Sequence, residues 1–374
     1  MMKYALIGFG TIRHTHVRAI HEICHGEIVA VCDTRLDRKM LESVPEARPY
    51  WDYRQLLQQE KADAVVVLTP HMLHPEISAA ALQAGCHVFC EKPVAIHKLQ
   101  AEPLAAAIAQ SDRVFAVNYM NRFRPDVQAV KTMLDENQLG RIQTVHFVNN
   151  NWLRSRAYYR SSDWRGTWAR EGGGVLTNQS PHDLDRIIYL FGLPMEVAAQ
   201  AGTSEFHNDL LVEDQVDALL SFPNGMRLYF STATHLHPGV DRMEIWGDRG
   251  YLKMENGVVT LAQLEEPLTA WNERNKEMFG APQPTWSERK IAPLSFDDLH
   301  AAGHVNFARA VAGQEPVMTS FAQALQSVEL ANAMVLAGYT KKWVTLPLDA
   351  QAYLHFFQEM IRREQRSEAN GAKH

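Results

Sequence analysis

Two clusters of residues in this 374-residue sequence have the types and spacing to do chemistry. The first is "LIGFGTIR", where Gly8-x-Gly10 follows an apolar strand-like run and opens a helical pattern. A loop of this kind, here Gly8, Phe9, Gly10, Thr11 and Ile12, lets backbone N–H groups and a helix N-terminus meet a pyrophosphate. Asp33 ends the next strand, 23 residues after Gly10, and suits a carboxylate that accepts hydrogen bonds from ribose hydroxyls. Its other reading is a turn aspartate. Arg13 stands where such loops usually carry a small residue, and Arg35 leaves room for a ribose phosphate. The second cluster is "AREGGGVLTNQSPHDLDRIIYLFG", residues 169–192, with three glycines ahead of Asn178 and His182. A histidine can take a hydroxyl proton; an amide can hydrogen-bond a hydroxyl but cannot act as a base. Asn178 and His182 share a face if one helix carries both. Alternatively, Ser180 and Pro181 are the cap and first position of a separate helix. Taken alone, the segment reads more simply as a glycine turn entering a core helix with a satisfied polar pair.

The elements that must position these residues follow from periodicity. "YALIG", "EIVAVCD", "ADAVVVLTP", "HVFCEKP" and "RVFAVN" read as strands, separated by helical patterns such as "PEISAAALQAG". That alternation predicts a parallel, doubly wound α/β sheet, with "AVVVL" as a central strand covered on both faces. After Pro125 an amphipathic helix carries Val127, Val130 and Leu134, and hairpin signals begin near residue 214. "SF-PNG-MRLYF" and "YLKME-NG-VVTLAQ" are strong turn patterns, so the second region is α+β with a large, mainly antiparallel open sheet. The expected division is residues 1–122, then 123–364, then a flexible tail at 365–374. Residues 265–298 read as a long excursion, and two helices, 320–338 and 349–363, close the fold.

Composition limits the partners. With 46% hydrophobic and 21% charged residues and a net charge of −6, the chain can bury a large core and has no basic block for nucleic acid or an anionic membrane. No apolar run approaches the roughly 20 residues that span a bilayer. The N-terminus lacks the layout of a signal peptide, and the four cysteines match no zinc spacing. A cytoplasmic protein with reduced thiols is expected. His235 and His237, in "ATHLHPG", lie at a strand end within reach of a cleft, but no third ligand is suggested, so no metal site is expected.

"GFGTIRHTH", "EKP", "NRFRP" and "GGGVLTNQSPHDLD" together resemble the Gfo/Idh/MocA oxidoreductases, the group of glucose–fructose oxidoreductase and inositol dehydrogenase, from residue 3 to about 350. The resemblance implies a nicotinamide-binding Rossmann domain and a C-terminal domain whose open sheet builds homodimers or homotetramers. It further implies an NAD-dependent dehydrogenase, NADP remaining open, that acts on a secondary alcohol of a sugar or cyclitol. Carried over, Lys92 is the active-site lysine and His182 the catalytic histidine. Asn178 replaces the aspartate found in many members, which removes a carboxylate base from that position. Thr69, Pro70, His74, Glu91, Trp164 and Arg165 are implied to line the cofactor, and Arg122 to point into the cleft. In "NNNWLRSRAYYRSSDWRGTW", Trp152 and Arg154 either contact a sugar face and its hydroxyls or belong to a subunit-contact loop. Asp183 and Asp185 read as caps or a surface pair.

Overall fold

The computed structural model describes residues 1–369. Strands β1 (Lys3–Ile7), β2 (Glu27–Cys32), β3 (Arg48–Tyr50), β4 (Ala64–Val67), β5 (His87–Cys90) and β6 (Phe115–Val117) form one sheet. Its order is β3-β2-β1-β4-β5-β6, with every pair parallel. All four residues of β4 are buried, as an apolar strand covered on both faces requires. The strand order reverses between β1 and β4, and such a reversal opens a crevice at the carboxyl ends of the strands. That crevice is where the first glycine loop and "EKP" end up.

The second sheet has nine strands: β7 (Ile142–Asn149), β8 (Glu196–Gly202), β9 (Gln215–Ser221), β10 (Arg227–Ala233), β11 (Asp241–Gly247), β12 (Gly250–Glu255), β13 (Val258–Gln263), β14 (Thr285–Lys290) and β15 (Val344–Thr345). They run in the order β14-β13-β12-β11-β7-β10-β9-β8-β15. Only the β7–β10 pair is parallel. Alternation along β9 and β10 sends Val216, Ala218, Leu220, Leu228 and Phe230 inward, into the same core as residues of helices Pro181–Phe191 and Phe321–Thr340. The opposite face carries a row of touching rings. His146 lies 5.0 Å from Tyr229 and 4.9 Å from Trp246, which in turn meets Tyr251 at 5.0 Å. Tyr229 is exposed.

Two expectations need correction. The excursion at 265–298 contains helix Leu268–Arg274 and β14, and it ends in helix Phe296–Val311. Every residue of β14 is exposed, so no alternation of apolar and polar residues marks that edge strand. Helix Phe296–Val311 returns to the first sheet, where Phe307 joins the core of Tyr4, Leu6 and Phe89. The closing helix runs Ala350–Ala369, so the expected tail at 365–374 is helical over its first five residues; residues 370–374 lie outside the described chain. Glu364, a polar residue at the head of that segment, is buried and accepts the N–H groups of Trp168 at 2.8 Å and Ala169 at 2.9 Å. All four cysteines are free thiols. No helix among the described residues is long and apolar enough to cross a membrane.

Candidate active site

A cleft of about 1400 Å³ runs from the carboxyl ends of β1, β2, β4 and β5 to the ends of β7 and β11 in the second sheet. Single-ligand pockets fall at about 300–1,000 Å³, so this one has room for a dinucleotide and a second molecule. Gly8 and Gly10 form its floor at one end. Gly8 has φ +91°, and a Cβ there would sit 2.5 Å from the Leu68 carbonyl carbon, so only glycine fits. A Cβ on Gly10 would meet nothing within 4 Å, which leaves that backbone open to the cleft. Thr11 and Ile12 also line it, whereas the Phe9 side chain is fully buried in the core. What Phe9 contributes is its N–H, donated to Asp33 Oδ2 at 2.8 Å. Asp33 Oδ1 accepts the Arg35 N–H at 2.9 Å, so the loop and the strand end hold this carboxylate at the cleft. Arg13 turns back, donating to the Gly10 carbonyl oxygen at 3.0 Å.

At the other end Lys92, Asn178 and His182 come together. Lys92 Nζ donates to the main-chain carbonyl of Asn178 at 3.0 Å. Burial pulls the Lys92 pKa down, with Glu91 and Glu171 opposing it. The His182 pKa is held well below the ordinary imidazole value, first by burial and then by the Lys92 charge. Its ring is therefore neutral at neutral pH and able to accept a proton. Two helices build this end, Val175–Asn178 and Pro181–Phe191, with Pro181 at the first position of the second. Asn178 and His182 thus do not share one continuous helix.

The three glycines are explained by packing. A Cβ on Gly174 would stand 1.8 Å from the Glu213 carbonyl oxygen, and one on Gly172 would strike Ile96 at 2.6 Å. None of the three lines the cleft; they let the chain dive under it. Glu213, buried beneath, accepts the N–H groups of Gly174 and Leu176.

Several assigned residues stand elsewhere or act differently. Arg122 has no exposed surface: it makes a two-pronged ion pair with Asp185 at 2.7 and 2.8 Å and donates to the Met318 carbonyl at 2.8 Å. It does not reach the cleft. Asp185 and Asp183 are likewise buried, Asp183 being paired with Arg186, so they are neither caps nor surface groups. His235 lies outside the lining and stands 3.5 Å from Asp214, which also holds His207 at 2.7 Å. His74 touches the cleft, but its two ring nitrogens face the carbonyls of Pro93 and Thr69, each at 2.7 Å. It braces two loops and has no nitrogen left for a ligand. Thr69, Pro70, Glu91, Trp152, Arg154, Trp164 and Arg165 do line the cleft. The Arg165 guanidinium lies 4.5 Å from the Trp164 ring centre and 4.3 Å from that of Tyr158.

Three groups escaped the sequence reading. His71 and Tyr158 line the cleft, and Tyr158 Oη accepts from the side chains of Asn178 and Gln179. Glu171, directly before the glycines, is buried and accepts from Asn178 Nδ2 and the Gly166 N–H. Only its place beside "GGG" could have drawn notice. Finally, His16, Glu91 and His300 bring possible ligand atoms within 4.8 Å of one another, although no metal ligands were expected. They lie too far apart in sequence for any spacing rule to find them. Within the protein they form a charge cluster. His16 Nε2 is 3.2 Å from Glu91 Oε1, which also accepts from Asn118 at 2.6 Å, and His300 Nδ1 meets the Phe296 carbonyl at 2.9 Å. Burial would raise the Glu91 pKa, but His16, His300 and Lys92 hold it well below the usual carboxylate range.

Five buried polar atoms without partners lie on this cleft. Thr69 Oγ1, His71 Nδ1, Arg154 Nε, Arg165 Nε and His182 Nδ1 are buried and have no hydrogen-bond partner among the described residues. Buried donors and acceptors are normally satisfied, so a set of orphans around one cavity marks a place completed by ligands. The glycine cradle, Asp33 and these orphans suit a nicotinamide dinucleotide.

Comparison with known proteins agrees. Residues 2–119 match the family described as "Oxidoreductase family, NAD-binding Rossmann fold", and residues 127–253 match the "GFO/IDH/MocA C-terminal domain". The chain is 29% identical to D-glucoside 3-dehydrogenase of Escherichia coli (strain K12), across 63% of this chain and 71% of that one. It is 23% identical to myo-inositol 2-dehydrogenase of Thermotoga maritima, across 68% and 75%. Among solved structures, the WlbA dehydrogenase from Bordetella pertussis, in complex with NADH and UDP-GlcNAcA, superposes with a TM-score of 0.76 at 26% identity, covering 93% of this chain and 99% of that one. With both domains matched, the chain belongs to the GFO/IDH/MocA oxidoreductases, and its first domain is the NAD-binding Rossmann unit of that family.

Proposed function

We propose that this protein oxidises a secondary alcohol of a sugar or cyclitol derivative, reversibly, with NAD as partner. The observation that carries the reading is the meeting of Lys92 and a neutral His182 in a cleft whose far end is built for a dinucleotide. Gly8, Gly10, Thr11, Ile12 and Asp33 would hold the adenosine and pyrophosphate, and Thr69, Pro70, Trp164 and Arg165 the nicotinamide half. When bound, NAD supplies acceptance of a hydride from the alcohol carbon. His182 takes the hydroxyl proton, and Lys92 stabilises the negative charge that builds on the same oxygen. In reduction both roles reverse. Trp152 and Arg154 present an apolar face and a cation to the substrate. Sugar and cyclitol dehydrogenases among the relatives support the substrate class. Turnover of a panel of aldoses, glycosides and inositols with NAD, followed by reduced-cofactor absorbance, tests the reading. A panel without turnover, with NAD bound tightly, would favour a nucleotide-sensing role instead.

Preference for NAD over NADP follows from Asp33. A carboxylate facing a 2′-phosphate at about 4 Å costs about 1–4 kcal/mol between water-like and surface-like dielectrics, which corresponds to about fivefold or more in affinity. NAD should therefore bind more tightly than NADP by calorimetric titration, and Asp33→Ser should narrow the gap to within about threefold. Tighter NADP binding to the unaltered protein would show that Arg35 outweighs Asp33.

The outer face of the nine-stranded sheet, with its row of His146, Tyr229, Trp246 and Tyr251, supports pairing with a second copy through that sheet. Sedimentation should give a dimer or tetramer, and Tyr229→Glu should shift the mass to that of the monomer. A monomeric unaltered chain would rule the interface out.

A further inference from the structure

Asn178 lines the cleft as an amide, and an acid lies directly behind it. Asn178 Nδ2 donates to Glu171 Oε1 and, at 3.2 Å, to Tyr158 Oη. Glu171 Oε2 accepts the Gly166 N–H, which fixes the carboxylate in place. An amide has one donor end and one acceptor end, and the network around it decides which way each points. With both donor bonds turned toward Glu171 and Tyr158, Asn178 Oδ1 accepts no hydrogen bond among the described residues, and Asn178 lines the cleft.

We propose that Glu171 is a positioning residue that sets the polarity of the Asn178 amide, so that Oδ1 is presented as an acceptor to a substrate hydroxyl. This rests on the reading of the cleft as an alcohol-oxidising site. An ionised Glu171 can only accept, so it holds Nδ2 and leaves Oδ1 for the substrate. A protonated Glu171 donates instead; the amide then turns, and Nδ2 faces the cleft in place of the acceptor. The pair thus supplies the acceptor oxygen that an aspartate would offer, while the charge stays one residue further back.

The groups facing Glu171 set where the switch lies. Lys92 and Arg165 favour its ionised form, as do the Gly166 N–H and Asn178. Glu213 opposes it from below, Tyr159 stands beside it, and His71 meets the main chain of Glu171. Burial is the largest influence and raises the carboxyl to about 7. The competent ionised form is therefore lost as pH falls through about 7, and substrate affinity should fall with it.

Two measurements test this. In the ¹⁵N-labelled full chain saturated with NAD, the Asn178 side-chain amide resonances, identified by their loss in Asn178→Asp, should shift with a midpoint near 7 and stay constant in Glu171→Gln. With the best substrate from the sugar and inositol panel, Glu171→Gln should raise KM by about three- to tenfold above neutrality, the factor for one hydrogen bond between neutral groups. The change in kcat should be smaller, NAD affinity should hold, and the near-neutral limb of 1/KM should vanish. An Asn178 amide that does not titrate, or a limb that survives in Glu171→Gln, overturns the proposal. A panel without turnover would refute the alcohol-oxidising reading, and the amide titration would still decide the role of Glu171.

Discussion

Replacing Lys92 by alanine should lower kcat by about two to four orders of magnitude while NAD affinity changes by less than about threefold. The reason is the position of the ammonium. Lys92 Nζ is held at 3.0 Å from the Asn178 carbonyl, in the part of the cleft shared with His182, and burial weakens its hold on its proton. An ammonium that gives up its proton more readily is a stronger acid toward a developing alkoxide than a solvated lysine. The cradle of Gly8, Gly10 and Asp33 lies at the other end, so cofactor affinity should survive. Lys92→Arg should not rescue, because a planar fork cannot replace a compact point charge. Steady-state rates on the substrate found by screening, with calorimetric NAD titration, check this. Turnover close to that of the unaltered protein would remove Lys92 from the mechanism.

Arg122→Ala should lower folding stability by about 3–5 kcal/mol, the range for stranding one partner of a buried ion pair. Asp185 would keep a carboxylate in the core with its two-pronged partner gone. The carbonyl of Met318 and the side chain of Gln323 would lose a donor as well. These contacts tie the loop after β6 to helices Pro181–Phe191 and Phe321–Thr340, so the loss is felt between both sheets. Urea unfolding should show a lower midpoint, and the paired change Arg122→Met with Asp185→Leu should recover most of it, because no unpaired charge remains. A variant of normal stability with a raised KM would instead return Arg122 to the substrate cleft.

Much of the first sheet was legible because its signals are local. "AVVV" is apolar at every position, and a strand covered on both faces needs that; Gly8 and Asp33 follow directly from the ends of their strands. The Asn-Gly turn and the alternation in β9 and β10 foretold the antiparallel sheet for the same reason. β14 gave no such signal, because an exposed edge strand has no face to bury.

What residue types and spacing determined by themselves is a dinucleotide cradle, a parallel sheet, and a histidine of the kind that moves protons; Lys92 came from the family resemblance. Tertiary structure decided which charged groups face the cleft. Arg122 was placed there by the family resemblance and His235 by its strand end, but each found a carboxylate inside the fold, Asp185 and Asp214. Glu171 was passed over beside three glycines that look like a loop, yet it holds the amide of Asn178. His16, Glu91 and His300 meet across 284 residues of chain. Whether an ionisable side chain serves solvent, a ligand or a buried partner depends on the nearest opposite charge and on local burial. Both are set by long-range packing, and the periodicity of a single segment does not record them.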